Sequence, residues 1–114
     1  MSASCIFCRI ASKEIPAAVV HETADVLAFR DASPQAPTHV LVIPKRHIAT
    51  LDDLADADAQ LLGGMMLAAK QVAAAAGLGA GYRVVANCGP QGGQTVFHVH
   101  FHVLGGRPMS WPPG

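Results

Sequence analysis

The stretch "FHVHFHVLGG" (residues 97–106) constrains this chain more than any other. Side chains alternate faces along a β-strand. His98, His100 and His102 therefore share one face, and Val99, Phe101 and Val103 share the other. The apolar face must pack against something, so the histidine face looks into a cleft or at solvent. Sequential imidazoles would stand about 7 Å apart, a row of potential bases, nucleophiles and ligands. Three roles fit such a row. It could be a polar outer face that happens to use histidine. H-x-H could supply two ligands to one metal ion. A neutral imidazole could attack phosphorus and form a labile phosphorylated intermediate. Spacing alone does not choose between metal and nucleophile.

The loop before the strand does discriminate. Asn87, Gly89, Gly92, Gly93, Gln94 and Thr95 lead directly into it. Glycines let backbone N–H groups approach a phosphate, and Asn, Gln and Thr add neutral donors. This loop suits an anion better than a cation; taken alone it would read as an ordinary hairpin loop.

The rest of the chain gives the row its setting. Hydrophobic residues are 51% of the 114 and charged residues 14%, which excludes a disordered chain and suits a single domain over 1–114. So little charge also suggests apolar surface hidden in an oligomer. Eight acidic residues balance eight Lys and Arg, so no global field draws nucleic acid. The opening "MSASCIFCRIASKEIP" lacks the pattern of a signal peptide, and Leu61–Leu78 is broken by Lys70 and Gln71. A cytoplasmic setting without a membrane partner is expected. Cys5 and Cys8 form C-x-x-C, which in a reducing compartment favours metal or redox chemistry over a disulfide framework.

A short helix is expected over Ser4–Lys13, ended by Pro16. Strands are expected at Val19–His21, Val26–Phe29, Val40–Ile43 and Arg83–Ala86. One main helix, N-capped by Asp56, should bury Leu61, Leu62, Met65, Met66, Ala69, Val72 and Ala73 and end at Gly77 or Gly79. With the histidine segment as last strand, the result is α+β: an antiparallel sheet of about five strands with the helix packed on it.

His98-Val99-His100-Phe101-His102-Val103-Leu104 carries the signature of the histidine triad (HIT) family. "IFCRI", "EIPA", "LAFRD", "SPQAPTHVLVIPKRHI", "GYRVVAN", "GGQTVFHVHFHVLGGR" and "WPPG" extend the likeness over nearly the whole chain. They resemble the Hint branch, the nucleoside phosphoramidases. The resemblance implies a homodimer with one continuous sheet, each subunit binding a purine nucleoside monophosphate or its amine conjugate. His100 would attack the α-phosphorus, expel an amine and carry the nucleotide until water releases it. A backbone carbonyl near His98 would fix its tautomer. His102 would hydrogen-bond the phosphate and help transfer protons, and His39 would complete the cluster. Gln94, Thr95, His102 and loop N–H groups would serve the phosphoryl oxygens. Ile6, Phe7, Ile10 and Phe29 would surround the base. Asp31 would take both ribose hydroxyls, with a turn cap as its plainer role; Asn87 would reach the ribose or phosphate side, and Gly93 would shape the loop.

Two positions depart from the branch: Thr95 stands where serine is frequent, and Arg30 where a histidine often sits beside the base. Cys5, Cys8, His47 and His98 match a structural zinc set found in part of the family; no metal is implied for the chemical step. The plainer reading is two reduced thiols in the core, with His47 capping a turn. Cys88 falls outside that set. Trp111 would shape amine specificity at the partner's site, the alternative being a frayed end. A nucleotide-binding scaffold with vestigial catalysis, or a hydrolase using the triad as metal ligands, are the competing functions.

Overall fold

The computed structural model describes residues 4–114. Five antiparallel strands lie in the order β1-β2-β3-β5-β4: β1 Val19–Glu22, β2 Val26–Arg30, β3 Thr38–Pro44, β4 Tyr82–Ala86 and β5 Phe101–Gly105. A short helix, α1 (Ile6–Ala11), and the long α2 (Ala59–Ala75) complete the expected α+β architecture. No helix among the described residues is long and apolar enough to cross a membrane.

Both faces of the sheet are buried, which is why β2 and β3 are apolar at nearly every position. Val26, Ala28, Val40, Val42, Val99, Phe101 and Val103 pack on the α2 side with Met65, Ala69 and Val72. Leu27, Phe29, Leu41 and Ile43 point the other way and meet Phe7 and Ile10 of α1. The histidine row lies on this second face, as the alternation requires.

Several boundaries differ from the sequence expectation. β5 begins at Phe101, so His98 and His100 precede it, after a bend at residues 96–98. In the β3–β5 register Val42 faces Phe101, which brings Pro44 to the end of the ladder, where it has no N–H to donate. The Val99 N–H turns instead to the Ile48 carbonyl at 2.7 Å. α1 stops at Ala11, before Pro16, because Ser12 caps it and Lys13 takes φ 68°. Asp56 opens a 3₁₀ turn rather than capping α2. Asp58 occupies the N-cap position, but its carboxylate pairs with Arg46 and accepts the Ala55 N–H. Within α2 the buried face takes Ala68 rather than Met66, which is 48% exposed. The helix gives way at Gly77, as expected.

Glu22 ties α1 to the sheet. Its two oxygens take Lys13 Nζ and Lys45 Nζ, each at 2.7 Å, linking the end of α1 to the end of β3. These two lysine contacts lower its pKa to about 2 from 4.5. A carboxylate with a depressed folded pKa stabilises above its unfolded value and loses that effect as pH falls. Acid titration of unfolding should therefore lose stability between about pH 4.5 and 2, and Glu22→Gln should remove this part of the acid limb while leaving its slope above pH 5 unchanged.

Candidate active site

Three structural units build the site: α1, the β2–β3 corner, and the glycine-rich loop that delivers the histidine run. They enclose an open cavity of about 550 Å³. Ile6, Phe7, Ile10, Phe29, Asp31, Thr95, His100 and His102 line it, eight of the residues expected to bind nucleotide. Ile15, Pro16, Ala17, Ala18 and Val96 extend the apolar wall. The sequence reading did not single out these small positions, although the "EIPA" run contained three of them. Arg30 borders the cavity next to Phe29, but alternation along β2 places it with Val26 and Ala28 on the face that meets the end of α2.

His100 is 6% exposed. Its Nδ1 lies 2.7 Å from the His98 carbonyl, the acceptor expected near His98. Nδ1–H must donate there, so the lone pair is on Nε2. Burial lowers the His100 pKa below the ordinary histidine value, while the His98 carbonyl and the charge of Asp31 oppose that shift. The ring therefore favours its neutral, nucleophilic form. The Phe7 ring stands edge-on to His100 and to Phe29, with centroids at 5.1 and 5.6 Å. Phe7 is at once core and cavity wall.

His102 sits beside His100, ring centroids 4.9 Å apart. Burial, together with the neighbouring His100 and His39, lowers its pKa to about 4, against an opposing pull from Asp31. His39, buried on β3, is not on the cavity wall. Its Nε2 approaches His102 Nδ1 at 2.8 Å and Asp31 Oδ2 at 3.4 Å.

Other expected residues take supporting positions. The amide of Gln94 is buried and fully engaged: Nε2 donates to the Ala49 and Val96 carbonyls, and Oε1 accepts the Gly89 N–H. It clasps the loop rather than facing the cavity. The N–H groups of Gly92, Gly93 and Gln94 are likewise spent on Gly89 and Pro90 carbonyls, correcting the expectation that they point at an anion. Gly92 is required there, since a Cβ would lie 2.3 Å from the Cys88 carbonyl oxygen. Asn87 lies beside Gly93 and does not line the cavity. Of the loop side chains, Thr95 alone joins the histidines on the wall. Asp31 acts as the turn cap weighed for it, Oδ1 accepting the Ser33 N–H at 2.7 Å, and the residue also lines the cavity.

Behind His100 lies a second constellation. Cys5, Cys8, His47 and His98 present ligand atoms all within 4.8 Å of one another, a set that could hold a metal ion. Cys8 Sγ lies 3.2 Å from His47 Nδ1 and 3.5 Å from His98 Nδ1; Cys5 Sγ is 3.4 Å from His98 Nδ1. His98 is wholly buried, and its Nε2–H donates to the Pro44 carbonyl at 2.7 Å, which turns the Nδ1 lone pair toward the sulfurs. Burial, with His47 and His100 nearby, lowers its pKa against the pull of that carbonyl. Cys88 is a free thiol elsewhere, in the loop.

Comparison with known proteins agrees with this geometry. The HIT domain family model matches residues 12–109. An uncharacterised HIT-like protein of Synechococcus elongatus is 54% identical over the full length of both chains, and one of Synechocystis is 53% identical over the same span. Among solved structures, a HIT family hydrolase from Legionella pneumophila is 56% identical, with a TM-score of 0.95 over 97% of this chain and 100% of that one. A histidine triad nucleotide-binding protein from Candida albicans is 36% identical, with a TM-score of 0.82 over 96% of this chain and 83% of that one. With its fold, its histidine run and its full-length relatives in agreement, the chain belongs to the HIT domain family.

Proposed function

We infer that the protein hydrolyses purine nucleoside phosphoramidates, cleaving the P–N bond between a nucleoside monophosphate and an amine through a nucleotidyl-histidine intermediate. The observation that carries this reading is the 2.7 Å contact of His100 Nδ1 with the His98 carbonyl, which leaves the Nε2 lone pair as nucleophile in a mostly apolar cavity. The hydrolase and nucleotide-binding character of the solved relatives supports it.

A base would lie among Ile6, Phe7, Ile10 and Phe29, with its ribose toward Asp31 and its phosphate toward Thr95, His100 and His102. His100 Nε2 forms a bond to the α-phosphorus as the P–N bond breaks. The electron pair leaves with the amine, which takes a proton from solvent. Water then attacks phosphorus and returns the lone pair to His100. The His102 ring and the Thr95 hydroxyl serve the charge on the phosphoryl oxygens.

The four-residue cluster suits zinc. Bond lengths of about 2.3 Å to sulfur and 2.0–2.1 Å to nitrogen give tetrahedral S···N edges of about 3.5 Å. Three of the four S···N distances run from 3.2 to 3.5 Å, and all four ligand atoms lie within 4.8 Å of one another. Such an ion contributes folding energy; the chain's own residues do the chemistry. Reduced cysteines and this ligand set also fit a cytoplasmic setting.

The homodimer reading is supported by the open edge of β4, which pairs only with β5 among the described strands. Arg83, on that edge, donates to the Ser110 carbonyl at 2.7 Å and holds the tail there. Trp111, 83% exposed, then stands ready to reach a partner's site.

Three measurements test these statements. Protein quenched during turnover of an adenosine phosphoramidate should carry one AMP adduct on His100, and His100→Ala should lose at least about a thousandfold in kcat while still binding AMP. Full activity in that variant would sink the mechanism. Elemental analysis should give one zinc per chain; Cys8→Ser should lose the metal and melt about 10 °C lower, a cost of about 2 kcal/mol. Sedimentation should return twice the 11.8 kDa chain mass.

A further inference from the structure

The hydrogen bonds around His39 continue away from the cavity and end at an exposed arginine. Arg107, just past the Gly105-Gly106 turn, donates from Nε and Nη2 to the Gln35 carbonyl at 3.3 and 3.0 Å. Its Nη1 takes the Pro108 carbonyl at 3.2 Å. The same residue, Gln35, donates its backbone N–H to His39 Nδ1 at 3.0 Å. The contact between the two segments is close. Gly106, at φ +90°, sits where a Cβ would come within 2.8 Å of Pro37 Cβ. The glycine turn is therefore seated directly on the loop that presents the Gln35 amide.

Protons can be placed along this chain of contacts. A backbone N–H only donates, so His39 Nδ1 must accept and its proton must be on Nε2. His39 Nε2 lies nearer to His102 Nδ1 than to Asp31, at 2.8 against 3.4 Å. It donates to His102, which then accepts at Nδ1 and carries its own proton on Nε2. That nitrogen is the one left for a ligand, and His102 is on the cavity wall. The pair cannot pass this proton onward. His39 would become an imidazolate, because the Gln35 amide has no proton to surrender. The arrangement therefore orients a donor and relays no proton through His39.

We propose that Arg107 is a positioning residue for catalysis: by holding the Gln35 carbonyl it fixes the amide that locks His39, and through His39 the Nε2–H tautomer of His102 that donates to the phosphoryl group. The proposal rests on the phosphoramidase reading for its catalytic consequence, but its core is a tautomer that exists without substrate. The test is long-range ¹⁵N–¹H NMR of the imidazole nitrogens near pH 7, paired with kinetics on an adenosine phosphoramidate. The wild-type chain should show His39 and His102 both protonated at Nε2. Arg107→Ala should mix the His102 tautomers and lower kcat about tenfold, well short of the loss of a hundredfold or more expected for His102→Ala. KM should move little, since Arg107 does not line the cavity, and Arg107→Lys should restore most of the rate. Gln35→Pro deletes the amide hydrogen itself and should free the His39 tautomer even with Arg107 in place. A wild-type His102 protonated at Nδ1 would overturn the proposal, as would an Arg107→Ala variant with unchanged tautomers. If the tautomers behave as described but no phosphoramidate is cleaved, the proposed substrate class fails and the relay stands.

Discussion

The hydrogen bond from His100 to the carbonyl of His98 organises the functional half of this molecule. It puts the reactive lone pair on one nitrogen of one ring. It also makes His98 serve two sites at once. The His98 side chain faces two cysteine sulfurs and the Pro44 carbonyl, while its backbone oxygen holds His100. A displacement of the cysteine-bearing helix therefore reaches the nucleophile through His98 as well as through the direct Phe7–His100 ring contact. His98 is wholly buried, so there is little room for that displacement to dissipate.

Burial gives the histidines their chemistry. Removing an imidazole from water disfavours its cationic form. His98, His100 and His102 are all shifted toward neutrality with burial as the largest cause. A neutral ring can be a nucleophile, a metal ligand or a hydrogen-bond donor, and each position is assigned its part by what holds the ring's other nitrogen. For His100 that is a carbonyl; for His98, another carbonyl; for His39, an amide. Three backbone groups thus determine three tautomers, and His39 passes the choice on to His102.

Much of this was legible in the chain before any coordinates. The alternation in residues 97–103 predicted which side chains share a face, and His100 and His102 do line one cavity although the ladder begins only at Phe101. The motif spacing brought Phe7, Phe29, Asp31, Thr95, His100 and His102 to one cavity wall, as the family likeness implied. Gln94 and Asn87 were legible only in part. Their residue types suited donation to a phosphate, yet the Gln94 amide is consumed by three backbone groups, those of Gly89 and Val96 nearby and the Ala49 carbonyl 45 residues away. A side chain's capacity is written in its type, but its spare capacity depends on its neighbours. Asp58 repeats the lesson: it occupies the N-cap position of α2, yet its carboxylate is claimed by Arg46, twelve residues earlier, and by the Ala55 N–H.

The sequence by itself determined the α+β class, the two-faced last strand, the histidine run and the C-x-x-C pair, because these follow from residue periods and types that local backbone geometry must obey. Only the tertiary structure decided where the strand ladder stops, which loop amides are already engaged, and which nitrogen of each ring bears the proton. Those depend on single hydrogen bonds between segments as far apart as Gln35 and Arg107, and such pairings leave no trace in local pattern.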